Sequence, residues 1–483
     1  MAELSERMRE LFGRIEENNL WRQRRCINLI PSENTPSPLV KACEVCDPAG
    51  RYAEHRTMKG KEIYFYQGVD FIKRIEEEAK EAIKEYFGCQ TAELRAVSGQ
   101  MANEVAFKAV TKFRNRSTDK GIFRRLHAVM NNDLVMGGHL SSQPMGALFN
   151  YVDINPETGK ENVVNFPVRE DNPYKIDVPR MLELLDEHRP ELVVFGKSMF
   201  IYPEPVRELA EHIQDWDPKP VIMYDMAHVL GIYGAFQAPL EEGADIVTGS
   251  THKTYFGPQR GVIVGNMPKK TPLRKLWLDI KSRAFPGSTS NHHLATLTGL
   301  LVATLEMNAY KEEYQSQVLK NARAFAKHCA DNGLKVEGDP ADGYTKTHQV
   351  VLRVSDHGDG ADIARRLEES NIVVNYQGLP DDTSFRYSSG IRTGVSEMTR
   401  FGMDEEDFGP VAELMARCIK DGEDVGDEVS EYRKKFTTMR YTLPLEESLE
   451  LAAKALHSAF PESDYARILA DNLSGASAVP DVN

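Results

Sequence analysis

Long apolar runs are missing from this chain of 483 residues. No stretch approaches the roughly 18 consecutive apolar residues of a membrane span. The charged N-terminus, MAELSERMRELFGRIEENNLWRQRR, lacks the apolar core of a secretion signal. A cytoplasmic protein, away from membranes, is expected. An excess of basic residues is missing too. The formal net charge is −14, so nucleic-acid binding has no bulk electrostatic support. The local basic runs WRQRRC (21–26) and KFRNRSTDKGIFRR (112–125) read as solvated faces or subunit contacts. The six cysteines are scattered, and only Cys43 and Cys46 make a C-x-x-C. With no second such pair and a helical context they read as structural thiols, and no metal is expected. Neither G-x-G-x-x-G after a strand nor G-x-x-x-x-G-K-[ST] occurs, which removes the dinucleotide and P-loop phosphate fingerprints.

What is present is alternation. Apolar β-type runs (ELVVFGKSMF, KPVIMYDMAHVLG, ADIVTGSTHKT, GVIVGN) are interleaved with helical patterns such as VRELAEHIQDW. That predicts an α/β fold, a mostly parallel sheet covered by helices, with chemistry at the carboxyl ends of the strands. VDFIKRIEEEAKEAIKEYFG has helical spacing and a C-terminal glycine, Gly88. A Gly-, Tyr- and Lys-rich segment before it (50–68) is expected to interrupt regular structure. After Asn291 come one or two long helices ending near Gly333, then a smaller α/β region. The expected division is an N-terminal arm (1–35), a large domain (36–299), a small C-terminal domain (300–426) and a C-terminal extension (427–483). The last residues, SGASAVPDVN, are expected to be disordered.

Lys253 follows an apolar run and precedes a Gly-Pro turn, among Thr251, His252, Thr254, Tyr255 and Phe256. A lysine in partly apolar surroundings has a lowered pKa and becomes an amine nucleophile, although a lysine snorkelling from a strand end looks the same in sequence. Four features bear on that choice. Asp225 in YDMAH stands at a strand end with His228 three residues on, as a helix cap, a metal ligand or the partner of a protonated ring nitrogen. Ser98, Gly99 and Gln100 begin a helical run, where free N–H groups and the dipole favour a phosphate; a plain serine cap reads the same. His139 follows two glycines that let something flat approach the backbone. Arg392, in SSGIRTG, suits capture of a carboxylate or a buried structural ion pair. Together they supply an imine-forming lysine, an anion for a pyridinium, a phosphate cradle and a carboxylate clamp. That set fits pyridoxal phosphate acting on an amino acid.

The motifs NLIPSEN, RYAEH, SGQMAN, GGHLSS, YDMAHVLG, TGSTHKTYFGPQRG, FPGSTSNHH and SGIRTG, in this order, make the chain resemble the serine hydroxymethyltransferase family over about residues 27–418. This family lies within the aspartate-aminotransferase-like fold, fold type I of the pyridoxal-phosphate enzymes. GSTHKT, GPQRG and SNHH look closer to its archaeal-type branch. The resemblance implies that Lys253 holds the cofactor, with His252 beside it, that Asp225 bonds the ring nitrogen, and that His139 stacks on the ring. It implies that His228 and Ser198 face the phenolic oxygen, and that Ser98, Gly99 and Gln100 hold the phosphate, with Asn291 reaching in from a partner subunit. Arg392, Ser32 and His228 would seat the substrate carboxylate. Glu54 would be the acid/base group at the substrate hydroxyl, flanked by Tyr52 and Tyr66. The implied reaction is reversible conversion of serine to glycine. The one-carbon unit would pass to a reduced pterin, tetrahydrofolate or tetrahydromethanopterin, in a homodimer or a tetramer of dimers with shared sites. The alternative is threonine-type aldolase or transaldolase chemistry without a pterin. Departures from the family pattern are about four extra residues after Glu54 (HRTMKGKEI), Phe65 in the tyrosine pair, Gln100, Gln259–Arg260, and Gln377 where a carrier-contacting asparagine is usual.

Overall fold

A computed structural model describes residues 2–58, 61–117, 124–268, 270–382, 387–460, 464 and 467. Seven strands form the main sheet: β1 (Thr91–Glu93), β2 (Val129–Asn131), β3 (Val163–Asn165), β4 (Leu192–Gly196), β5 (Val221–Asp225), β6 (Ile246–Ser250) and β7 (Gly261–Gly265), in the spatial order β1-β7-β6-β5-β4-β2-β3. β4, β5 and β6 are buried at every residue. Helices cover both faces, so these strands read as unbroken apolar runs rather than alternating ones. All neighbours pair in parallel except β7, which runs antiparallel to both β6 and β1. The parallel register sets Gly196 beside Asp225 and Asp225 beside Thr248. Three strand ends therefore converge on one point.

The helical spacing read in the sequence gives α1 (Ala2–Leu20), α2 (Asp70–Phe87), α3 (Gly99–Arg114), α4 (Leu294–Ala309) and α5 (Lys311–Asp331). α2 buries Ile72, Ala79, Ile83 and Tyr86, and Gly88 ends it in the left-handed region at φ 61°. Phe71, part of the same apolar spacing, is exposed. The segment expected to lack regular structure instead contains a hairpin of His55–Met58 and Lys61–Tyr64. Thr57 Oγ1 and Lys281 Nζ both donate to Glu62 Oε1, each at 2.7 Å, tying that hairpin to helix Leu273–Ala284.

A second sheet is antiparallel throughout: β8 (Lys335–Val336), β9 (Gln349–Arg353), β10 (Asn375–Gln377) and β11 (Gly390–Gly394), in the order β8-β9-β11-β10. The N-terminal segment reaches it, since Ile27–Asn28 pairs in parallel with Ile372–Val373. Helix Leu445–Ala459 packs on helix Pro38–Glu44. The tail SGASAVPDVN lies outside the described residues. Among the described residues no helix is long and apolar enough to cross a membrane.

Candidate active site

Asp225 is the last residue of β5 and is buried. A Cβ on neighbouring Gly196 would stand 2.8 Å from that of Asp225, so the adjacent strand end has to be glycine. Asp225 Oδ2 accepts from Asn103 Nδ2 at 2.7 Å and Ser141 Oγ at 3.1 Å, and it contacts His139 Nδ1. Its Oδ1 accepts the Ala227 N–H at 3.0 Å. Burial pushes this carboxyl up, but the His139 charge and the hydrogen bonds outweigh it and hold it well below the usual carboxylate range. His139 donates its own N–H to the Gly196 carbonyl at 2.9 Å. Its ring stands edge-on to that of His228, with centroids 5.3 Å apart. Burial, together with the Lys253 and Arg392 charges, drives His228 far below the ordinary imidazole value. The His228 ring is therefore neutral, and its buried Nδ1 has no hydrogen-bond partner among the described residues.

Lys253 and His252 lie on the turn that joins β6 to β7. That turn is closed by Thr251, whose hydroxyl donates to Pro258 O at 2.6 Å and whose carbonyl accepts Gly257 N–H at 2.7 Å. Burial lowers the Lys253 amine to about 8, Asp225 pulling the other way and Arg392 adding to the fall. Burial likewise takes His252 down to about 4, and its Nδ1 has no hydrogen-bond partner among the described residues. The NLIPSEN segment packs here. Asn34 Nδ2 donates to the Lys253 carbonyl at 3.0 Å, and Ser32 and His252 line a shared cavity.

Arg392, on β11, approaches from the second sheet. It donates from Nη1 to the Ser198 carbonyl at 2.6 Å and, at 3.4 Å, from Nε and Nη2 to Asn375 Oδ1. Burial pulls its guanidinium down to about 10, which still leaves it charged at neutral pH. No carboxylate among the described residues forms an ion pair with it. Ser198 uses its N–H and hydroxyl on the Gly137 carbonyl, at 2.9 and 3.4 Å. Its carbonyl, rather than its side chain, meets Arg392.

Ser98 caps α3, its Oγ accepting Met101 N–H at 3.1 Å. Gly99 begins the helix, where a Cβ would stand 2.2 Å from Ser250 Oγ at the end of β6. Gln100 is exposed on the first turn. The helix N-terminus therefore opens beside the strand ends that carry Asp225 and Lys253.

Tyr52, Glu54, Tyr66 and Asn291 form a second, separate group. The tyrosine rings lie 5.3 Å apart, Glu54 O accepts Phe65 N–H at 3.0 Å, and Asn291 Nδ2 donates to Arg51 O at 2.7 Å. Tyr52, Phe65 and Tyr66 are exposed at 50 %, 51 % and 40 %. No hydrogen bond, ion pair or ring contact among the described residues joins this group directly to Lys253, Asp225 or Arg392.

Three participants lie inside the quoted motifs without a role assigned there: Asn103 in SGQMAN, Ser141 in GGHLSS and Thr248 in TGSTHKTYFGPQRG. Asn103 Oδ1 accepts the Thr248 hydroxyl at 2.6 Å while its amide nitrogen serves Ser141 and Asp225. The available signal was one asparagine among the buried Ala102, Val105 and Ala106 of α3. Among the described residues no group of three or more His, Cys, Asp or Glu is placed to hold a metal ion. All six cysteines are free thiols. The first group thus offers an amine near its useful pKa, a buried carboxylate, a buried cation free of acid partners and a helix N-terminus.

The comparisons agree with that inventory. The profile of the family described as serine hydroxymethyltransferase matches residues 4–415. The serine hydroxymethyltransferase of Staphylothermus marinus is 37 % identical over 460 residues, covering 93 % of this chain and 97 % of its own length. That of Aeropyrum pernix is 38 % identical over 433 residues, covering 88 % and 91 %. Among solved structures, an L-threonine transaldolase from Pseudomonas fluorescens in its internal aldimine state matches with a TM-score of 0.78 at 26 % identity, over 94 % of this chain and 99 % of that one. With the profile spanning most of its length and these relatives matching nearly end to end, this chain belongs to the serine hydroxymethyltransferase family.

Proposed function

We propose that the protein is a glycine hydroxymethyltransferase: it cleaves serine reversibly to glycine, with pyridoxal phosphate as cofactor and a reduced pterin as one-carbon acceptor. One observation carries the reading. A buried guanidinium with no acid partner among the described residues, Arg392, bears on the same pocket as an amine lowered to about 8, Lys253. A site so charged calls for an anionic ligand, and an amino-acid carboxylate matches the guanidinium fork.

The residues present fit the cofactor. The N-terminus of α3, brought against the end of β6 by the close approach of Gly99 to Ser250, the ionised Asp225, and the ring nitrogens of His228 and His252 that lack a hydrogen-bond partner among the described residues suit a phosphorylated, nitrogenous ring. When bound, pyridoxal phosphate supplies a carbonyl carbon to amines and a ring that takes up the electron pair of a broken bond. Lys253 would hold it, with Ser98, Gly99, Gln100 and the partner subunit's Asn291 at the phosphate. Asp225 would stand at the ring nitrogen, and His139, His228, Ser198 and His252 around the ring. Arg392, Ser32 and His228 seat the substrate carboxylate, which fixes which bond at Cα faces cleavage. Glu54, with Tyr52 and Tyr66 beside it, holds or moves the proton of the substrate hydroxyl.

The tyrosines of that last group are exposed, and among the described residues the group makes no direct contact with Lys253, which supports a homodimer whose partner supplies it, with a tetramer as a further step. The same reading keeps the arm at 1–35, the cofactor domain at 36–299, the small domain at 300–426 and the extension at 427–483. The pterin, tetrahydrofolate or tetrahydromethanopterin, would meet the Glu54–Tyr66 segment, the loop near Leu140 and the segment from Gln377. The last of these runs to Phe385, which lies outside the described residues.

The likeness to a transaldolase favours one second reading, transfer between β-hydroxy amino acids and aldehydes without a pterin. Assay of the cofactor-loaded protein with serine and with threonine, each with and without the two pterins, separates them. Pterin-dependent turnover of serine is expected. Brisk turnover of threonine indifferent to every pterin would replace the first reading with the second.

A further inference from the structure

Directly after β4 stands a buried ion pair that no step above uses. Lys197 Nζ lies 2.6 Å from Glu204 Oε1, the two side chains being 3 % and 1 % exposed. Glu204 Oε2 accepts from Asn132 Nδ2 at 3.0 Å, and Asn132 Oδ1 accepts Gly196 N–H at 2.8 Å. Lys197 Nζ also donates to the Tyr174 carbonyl at 3.2 Å. The backbone of Glu204 is held from both sides by Gln237, at 3.1 and 2.7 Å. The pair therefore ties together both ends of segment 197–204 and the end of the adjacent strand β2.

Lys197 sits between two carbonyls that serve the site. Gly196 O accepts the His139 N–H, and Ser198 O accepts Arg392 Nη1 at 2.6 Å. The other Arg392 contacts, to Asn375 at 3.4 Å, are at the outer limit of an N–H···O bond. The Ser198 carbonyl is thus the short contact that fixes the guanidinium, and it lies on the segment directly after β4 of the main sheet while Arg392 belongs to the second sheet. Gln349 Nε2 donates to the same carbonyl at 3.1 Å.

We infer that the Lys197–Glu204 pair is a positioning device for Arg392: it holds the Ser198 carbonyl where the guanidinium meets it, and so sets the carboxylate-binding edge of the Lys253 site. The physical reason is that two interior charges are tolerated together and costly apart. Neither end of the segment can leave without stranding the other buried charge. An apolar pair of equal volume would fill the space without fixing a direction. The inference rests on the reading of Arg392 as the carboxylate receptor.

The test uses cofactor-loaded protein and follows its visible spectrum while glycine or methylamine, an amine without a carboxylate, is titrated in. The double variant Lys197→Met/Glu204→Gln removes the pair without stranding a charge. Glu204→Asp keeps the charge on a shorter arm, and Lys197→Arg is the conservative rescue. The double variant should bind glycine about tenfold more weakly, the scale of a guanidinium displaced by less than about 1 Å. Its methylamine affinity should be unchanged, KM for serine should rise more than kcat falls, and Lys197→Arg should stay near the parent. Glu204→Asp should shift glycine in the same direction, and it decides the matter if the double variant does not fold. Unchanged glycine affinity, or equal losses for glycine and methylamine, would overturn the inference. Arg392→Lys, run alongside, reads the underlying assumption separately: if it leaves glycine affinity intact, Arg392 is not the receptor and the inference falls with it.

Discussion

Asn103 Nδ2 reaches Asp225 Oδ2 at 2.7 Å, and on its other side Asn103 Oδ1 takes the Thr248 hydroxyl at 2.6 Å. The amide is oriented by this pairing, donor toward the carboxylate and acceptor toward the hydroxyl. Asn103→Leu removes these two bonds and the one to Ser141 inside the core. The expected cost is about 1–3 kcal/mol of stability, the range for leaving buried polar groups unsatisfied. Cofactor affinity should fall with it, because the Asp225 carboxylate loses one of the donors that keep it ionised. Thermal denaturation and cofactor titration measure the two effects.

Lys253 provides a pH test. In cofactor-free protein, the rate of capture of pyridoxal phosphate should rise with pH through about 8, where the amine loses its proton. Borohydride should then fix the label on Lys253. A label on another lysine, or a midpoint near the ordinary 10.5, would contradict the assignment. The linkage has a definite sign. Between about 8 and 10.5 the unfolded chain still binds a proton that the folded chain has released, so this residue's contribution to stability rises with pH across that window. Below about 8 the cost of the buried ammonium is present in full.

Arg392→Lys keeps a charge and loses the fork. A charge-assisted hydrogen bond is worth about 1.5–3 kcal/mol, so serine and glycine should bind roughly ten- to a hundred-fold more weakly. Spectral titration of the loaded enzyme with glycine gives the number directly. Unchanged binding would make Arg392 a structural residue.

Gly99→Ala would set a methyl group 2.2 Å from Ser250 Oγ. A loss of about 1–3 kcal/mol is expected from overpacking, together with weaker cofactor binding. The obstructing atom belongs to a side chain, so Gly99→Ala/Ser250→Ala should recover most of the stability. If the double variant is no more stable than Gly99→Ala, the crowding has another source.

Much of the architecture was legible because apolar runs and helical spacing report burial directly. β4, β5, β6 and β7, the helices α2 and α3, and the two helices α4 and α5 fall where those patterns lie. Other features were invisible for physical reasons. The hairpin after Glu54 is short, half-exposed and polar, so it leaves no clean alternation. The antiparallel direction of β7 is a property of pairing, and a buried strand reads the same whichever way it runs. Asn103, Ser141 and Thr248 stand within quoted motifs, but nothing in the sequence says that their side chains meet; the fold brings them from a helix, a turn and a strand to Asp225. The motifs nominated Ser98 for an anion, and the fold gives its hydroxyl a cap bond to Met101 as well.

Two departures expected on the family resemblance bear on the carrier, the extra residues after Glu54 and Gln377 in place of asparagine. Gln377 ends β10, and the hairpin lies directly after Glu54. Gln offers the same donor and acceptor as asparagine on a longer stem. A shift of the pterin ring by around 1 Å can cost about a hundred-fold in rate. Weak use of tetrahydrofolate is therefore expected, with the bond-cleaving half of the reaction intact and a tetrahydromethanopterin-like carrier preferred. Exchange of the glycine α-proton, followed while each pterin is titrated in, distinguishes these. Strong stimulation by tetrahydrofolate at micromolar levels would reject the altered pocket.

The pairing of Ile27–Asn28 with Ile372–Val373 sets when the N-terminal segment can be seated. Trp21 Nε1 bonds Asn371 Oδ1 across 350 residues, and Arg433 Nε bonds the Cys26 carbonyl across 407. At the usual pace of synthesis, roughly 5–20 residues per second, the NLIPSEN segment waits about 20–70 s for its strand partner to emerge from the ribosome. During that wait the segment packed beside Lys253 has no sheet to join. Assembly of the pocket is therefore a late event in synthesis, and a chain truncated before Ile372 should lack a properly seated NLIPSEN segment even with its main sheet complete.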